Sequence, residues 1–260
     1  MTAGQLRLVG KHLVMPRPGV ALRLLVFHHA GGSATSFLPV AQAMPEQYES
    51  CLFELAHRGM RSEEPAAADY PAAVRELLPE VTELVDRPVL LLGHSLGALL
   101  AHSLIAELPA ERRALVRGML VSSSQSPTRA AAEASHPPAP FVSRTREGLL
   151  AELHGRGGSP PDLFEDDELL DHAVELIGYD LHLADTYVAP PRLTDPVEYH
   201  IWYGRDDPYL GPDDAEQWGL STAEEPQIRS FRGGHFYLSQ KPEPRLALQK
   251  LAAAVAAEVA

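Results

Sequence analysis

Apolar residues in this chain fall into short unbroken runs, separated by stretches with helical spacing. Residues 22–27, 51–55, 89–92, 118–122 and 197–204 are dominated by apolar side chains instead of alternating with polar ones. That pattern predicts strands covered on both faces, as in a parallel sheet. Between the runs, 33–44 places Phe37, Val40, Ala41 and Met44 on one helical face. The stretch 69–86 does the same with Val74, Leu77, Leu78, Val81, Leu84 and Val85, behind Asp69 as cap and Pro71 in the first turn. An alanine- and leucine-rich helix follows Ser95 and runs to about residue 108. Strands alternating with helices predict an α/β fold with a mostly parallel sheet and helices on both faces.

The rhythm breaks at 123–196, which carries no strand pattern, and a connection that long needs its own explanation. Residues 125–140 are rich in Ala, Ser and Pro and are expected to be exposed. Helices are expected at 143–153 and 166–187, separated by the glycine-rich stretch 155–161. The reading is one domain, 1–260, with a helical lid inserted at 123–196 over the strand ends. After it the α/β pattern resumes, with a helix near 213–220, a strand at 227–231 and a last amphipathic helix at 245–257.

Candidate chemistry sits at the ends of the strands. The run 89–92 leads into Gly93-His94-Ser95-Leu96-Gly97 and then a helix, which is the strand–turn–helix setting of a nucleophile elbow. The competing reading of Ser95 is an ordinary helix cap. A serine hydroxyl needs a base, and the base needs an orienting carboxylate. On such a sheet the partners come in the order Ser, Asp, His, and the chain supplies Ser95, Asp207 and His235 in that order, each after a predicted strand. Asp206 competes with its neighbour, but Gly204-Arg205-Asp206-Asp207-Pro208 favours Asp207 as the orienter. The backbone N–H groups of Leu96 and of Ala30, in the small-residue loop after the first strand, are the expected oxyanion-hole donors. His28, His29 and His94 are expected to be structural or substrate-facing.

Composition narrows the function without changing that picture. The net charge of −13 argues against nucleic acid or an anionic membrane as partner. A single cysteine, Cys51 in an apolar run, allows neither an internal disulfide nor a thiolate cluster, and it reads as a buried structural thiol. With no signal-like N-terminus and no apolar run near 18 residues, a cytoplasmic protein is expected. No cofactor or metal is called for.

The motifs His28-His29-Ala30-Gly31-Gly32-Ser33, Gly93-His94-Ser95-Leu96-Gly97, Gly204-Arg205-Asp206-Asp207-Pro208 and Gly234-His235-Phe236-Tyr237-Leu238 together resemble the type II (editing) thioesterases. These are stand-alone α/β-hydrolases that serve polyketide and nonribosomal peptide synthases. The stretch 180–187 also resembles that family's lid helix. The loop 56–61 departs from the family's Pro-Gly-Arg-Gly-like pattern, keeping only Arg58, Gly59 and Arg61. The resemblance implies a monomeric serine hydrolase that cleaves acyl thioesters from the phosphopantetheine arm of acyl or peptidyl carrier domains. Arg144, Arg146 and Arg156 are candidates for a carrier-docking patch. The alternatives are a carboxylesterase or lipase acting on oxygen esters, and a carrier-binding member without turnover.

Overall fold

The computed structural model describes residues 6–17, 19–142, 144–157 and 161–258. Eight strands form one sheet: β1 (Arg7–Val9), β2 (His12–Met15), β3 (Leu22–Phe27), β4 (Tyr48–Phe53), β5 (Val89–His94), β6 (Val116–Ser122), β7 (Glu198–Gly204) and β8 (Gln227–Phe231). Their order is β1-β2-β4-β3-β5-β6-β7-β8. All neighbours from β4 to β8 pair parallel, and β1 and β2 pair antiparallel at one edge. The apolar runs explain the layout. β3 and β5 are buried along their whole length, so each must be covered on both faces.

Among the described residues ten α-helices supply the cover and the connections: α1 (Leu38–Ala43), α2 (Tyr70–Leu84), α3 (Leu96–Glu107), α4 (Ala110–Arg113), α5 (Pro127–Glu133), α6 (Arg146–Arg156), α7 (Asp167–Asp185), α8 (Pro212–Glu216), α9 (Tyr237–Gln240) and α10 (Pro242–Ala257). Helix α2 begins as its sequence dictates, with the Asp69 carboxylate accepting from the Ala72 N–H at 2.7 Å. Helix α3 is apolar nearly all round and accordingly buries ten of its twelve residues. One core cluster joins α2, α3 and α7 to a sheet face, and a second joins α1 and α10 to the other.

Three differences from the sequence reading have physical causes. The edge strands β1 and β2 were not predicted; they are short, and β2 is buried through its pairing with β4 rather than through a long apolar run. The strand expected at 51–55 spans Tyr48–Phe53, because Glu54 turns away to accept the Ala34 N–H at 2.9 Å. Part of the stretch expected to be exposed, 125–140, forms α5, capped by the Ser126 hydroxyl, with Pro127 and Ala130 buried. Residues 143 and 158–160, within the expected helix and glycine-rich stretch, lie outside the described residues. Cys51 is fully buried, and burial pushes its thiol up to about 12. Among the described residues no helix is long and apolar enough to cross a membrane.

Candidate active site

Ser95 occupies the sharp turn between β5 and α3 with φ +53° and ψ −122°, a strained conformation for a residue with a Cβ. Its hydroxyl does not cap α3, so the cap reading does not describe it. The flanking glycines are required by close approach. A Cβ on Gly97 would lie 2.2 Å from the Phe27 carbonyl oxygen, and one on Gly93 would lie 2.3 Å from the Ala98 Cα. The turn can form only where both neighbours lack side chains.

His235 reaches the same region from the loop after β8. Gly233, at φ +124°, bends that loop, and Gly204 lets the end of β7 approach it, since a Cβ there would sit 2.3 Å from two loop carbonyls. His235 Nδ1 lies 2.9 Å from Asp207 Oδ2, with both side chains buried. A carboxylate only accepts, so Nδ1 carries the proton and Nε2 keeps a lone pair in the neutral ring. Burial pushes the Asp207 carboxyl up, but His235 and the Tyr209 N–H, 3.0 Å from Oδ1, outweigh burial and hold it below the usual value. Asp206 is exposed and faces elsewhere: its carboxylate accepts from the Gly233 N–H at 3.2 Å and steadies the histidine loop.

Ser95, His235, Ala30 and Leu96 all line one cavity of about 470 Å³. His235 Nε2 is buried there without a hydrogen-bond partner. Leu96 opens α3, where first-turn amides have no partner within the helix. In the loop after β3, Gly31 N–H donates to Asp180 at 2.6 Å, Gly32 N–H to the His29 carbonyl at 3.0 Å, and Ser33 N–H to Ser36 Oγ at 3.1 Å. None of these bonds uses the amide of Ala30.

Burial lowers the three histidines that flank the site, His28, His29 and His94, and each is held by local contacts. His94, beside Ser95, is buried and held far below its ordinary pKa by burial; its Nδ1 lies 2.9 Å from Ser122 Oγ, which meets the Tyr237 hydroxyl at 2.9 Å. Burial lowers His28 to about 3, and its Nε2 accepts the Leu55 N–H at 3.3 Å. His29 packs edge-on to Phe236 at 4.7 Å and, with Phe37, lines a second cavity of about 340 Å³ that shares Ala30 and Arg156 with the first.

The three arginines proposed as a docking patch are each held by a carboxylate. Arg144 forks onto Asp185, Arg146 meets Asp171 at 2.5 Å, and Arg156 meets Glu152 at 2.9 Å. Arg144 and Arg156 line the Ser95 cavity. They therefore wall the pocket and do not form a free basic face.

The sequence matches the family model described as the thioesterase domain over residues 22–251. The chain belongs to the thioesterase family. It is 30% identical over 225 residues to a probable cadicidin biosynthesis thioesterase of Streptomyces griseus, covering 86% of this chain and 60% of that protein. The thioesterase PikA5 of Streptomyces venezuelae is 28% identical over 233 residues, 87% of this chain and 79% of its own length. Among solved structures, the type II thioesterase BorB from the borrelidin biosynthetic cluster is 31% identical, with a TM-score of 0.77 over 93% of this chain and 95% of BorB. The fold is that of the α/β-hydrolase thioesterases, and the chain is similar to the type II members.

Arg58 and Asp180 are the site neighbours whose roles the sequence did not give. They lie 122 residues apart and form a buried, doubly hydrogen-bonded pair against the loop after β3. The signals were Arg58, kept in a loop that departs in part from the family's pattern, and Asp180, first residue of the stretch that resembles the family's lid helix.

Proposed function

We propose that this thioesterase is a serine hydrolase that releases acyl groups from the phosphopantetheine arm of acyl or peptidyl carrier domains, as in editing of polyketide or nonribosomal peptide assembly. The observation that carries the reading is the Asp207–His235 pair, 2.9 Å apart, whose His235 lines one cavity with the strained Ser95, Ala30 and Leu96. Ser95 Oγ attacks the thioester carbon while its proton passes to His235 Nε2. Asp207 stabilises the resulting imidazolium, and the Ala30 and Leu96 amides face the developing oxyanion. The C–S bond breaks as His235 returns the proton to sulfur. Water then attacks the acyl-Ser95 ester, losing its proton to His235, and the carboxylic acid leaves as Ser95 recovers its proton. A thiol with a pKa of roughly 8.5 is an undemanding leaving group, so the chemistry needs no metal.

The helices between β6 and β7 act as the lid in this reading. Helices α5, α6 and α7 supply Ala130, Glu152 and Leu181 to the wall facing Ser95. The relatives support the substrate class: proteins similar to this chain are named as thioesterases of biosynthetic clusters. A panel of acyl groups loaded on a carrier protein, read by intact mass, tests the proposal. Wild type should restore the free phosphopantetheine thiol, and Ser95→Ala should lose at least about 10⁴-fold in rate with the fold unchanged. Near-normal release by Ser95→Ala, or a strong preference for matched oxygen esters over thioesters, would remove it.

A further inference from the structure

Both peptide planes that flank the Ala30 Cα are tied down. In the His29–Ala30 peptide, whose N–H is the oxyanion donor proposed above, the His29 carbonyl accepts from His28 Nδ1 at 2.8 Å and from the Gly32 N–H at 3.0 Å. In the Ala30–Gly31 peptide, the carbonyl accepts from His29 Nδ1 at 3.0 Å. Its Gly31 N–H donates to Asp180 Oδ2 at 2.6 Å. Three of these four ties come from within the loop itself. The fourth comes from α7, a helix that belongs to the cover and not to the sheet.

Asp180 is built for that contact. It is 1% exposed and Arg58 is 2% exposed. Arg58 Nη1 donates to Oδ2 and Nη2 to Oδ1, each at 2.6 Å, and Nη1 also donates to the Gly32 carbonyl at 2.9 Å. The guanidinium thus holds the carboxylate in one orientation and grips the same loop. A bare carboxylate beside an oxyanion would oppose the charge that develops there, and the Arg58 cation cancels it. One turn earlier on α7, Ile177 packs on Gly31: a Cβ on that glycine, which sits at φ +71°, would lie 3.0 Å from Ile177 Cδ1.

We propose that Asp180, held by Arg58, is a positioning residue that aims the Ala30 amide, so that Ser95 acts only when α7 is seated on the loop. This rests on the reading of Ala30 as an oxyanion donor. The pair then couples two things that would otherwise be separate, closure of the helical cover and completion of the oxyanion hole. Arg58 accordingly serves the chemical step and not the choice of acyl group.

Two double variants separate positioning from mere folding. Arg58→Met with Asp180→Leu removes both charges and the acceptor for Gly31. Arg58→Met with Asp180→Asn removes the charges and keeps an acceptor. Replacing a whole buried pair is commonly tolerated where breaking one is not. The Leu variant should lose about 30- to 100-fold in kcat, the scale of a misplaced or lost oxyanion donor. Its KM and its affinity for a non-hydrolysable thioether analogue should stay within about threefold. Affinity for a trifluoromethyl ketone analogue, which forms a tetrahedral adduct on serine, should fall by the same factor as kcat. The Asn variant should recover about tenfold of both losses, by restoring one hydrogen bond to the loop. Equal activity of the two doubles, or a loss shared equally by the thioether, would overturn the proposal. If wild type forms no adduct on Ser95, the site reading itself falls and takes this proposal with it.

Discussion

The sheet ends and the helical cover above them hold the residues of the proposed site by different means. Ser95, Asp207 and His235 sit where strands β5, β7 and β8 end, and their positions follow from backbone ladders and from glycines that allow carbonyls to approach within a Cβ's reach. The segment between β6 and β7 contributes no strand among the described residues; Arg144–Asp185 and Arg146–Asp171 tie its own parts together, and the buried Arg58–Asp180 pair fastens α7 to the loop after β4. Backbone ladders fix atoms to fractions of an ångström irrespective of which polar side chains are present. Side-chain clasps depend on a few particular residues and can be lost one at a time. In the proposed reading the chemistry falls on the part of the fold least sensitive to substitution, and the helical cover is the part most open to it.

The sharpest way to break that comparison is at the carboxylate. Asp207→Asn leaves the strand end intact but removes the charge that orients His235 and stabilises its imidazolium. Turnover of an acyl-carrier substrate should fall about 10³- to 10⁴-fold. Asp206→Asn, one residue away and bonded only to the histidine loop, should stay within about threefold, because it touches neither imidazole nitrogen. Steady-state rates of the two variants measured side by side decide between the adjacent aspartates. Comparable losses in both would mean that the loop as a whole, and not one carboxylate, orients the base.

How much of this was readable before folding follows the same division. The parallel order and the covered sheet come directly from the apolar runs, because a strand apolar at nearly every position has no solvent face to offer. Ser95 and Asp207 were singled out because each follows such a run, whereas β8 is mostly exposed and His235 was singled out by its glycine pair and its place in the order Ser, Asp, His. The edge strands were not readable: β1 is exposed and β2 is four residues long, so burial there depends on β4 and not on local pattern. Nor was the Arg58–Asp180 clasp, since nothing in a linear sequence says that a loop arginine and a helix aspartate meet across 122 residues. Ion pairing of Arg144, Arg146 and Arg156 was hidden for the same reason, and a row of arginines in sequence looked like a basic surface.

A smaller effect lies in the response of stability to pH. His28, His29 and His102 are lowered by burial to about 3, about 4 and about 4, and burial also holds His94 well below its ordinary value. Each therefore takes up a proton on unfolding once pH drops under the ordinary value of about 6.5. Their contribution is fully present above that value and is lost as pH falls toward the folded values. Glu54 runs the other way: burial raises it to about 7, so it gives up a proton on unfolding between about 4.5 and 7, and stability falls as pH rises through that window. These four histidines outnumber one glutamate, so urea midpoints should decline on acidification below pH 6.5. Glu54→Gln keeps an acceptor for the Ala34 N–H and removes the opposing slope. It should be more stable than wild type at pH 8 by a few kcal/mol at most, with the advantage fading toward pH 4.5. An advantage independent of pH would assign the gain to packing instead of ionisation.

The smallest effect belongs to the outer face of the cover. Arg146 and Asp171 meet at 2.5 Å, but their side chains are 54% and 64% exposed. Water and salt screen such a pair, and holding two long side chains together costs rotamer entropy, so its net worth is about 0 to 1 kcal/mol. Arg146→Met should shift the urea midpoint barely beyond error, and a double-mutant cycle with Asp171→Ala should give a coupling under about 0.5 kcal/mol that vanishes in high salt. The same cycle across Arg58 and Asp180 should give a coupling several times larger and indifferent to salt, because each single variant strands a charge in a buried site. If the outer pair proved as strongly coupled as the buried one, the cover would be a network of mutually dependent charges, and its seating on the loop could not be assigned to the one clasp at Asp180.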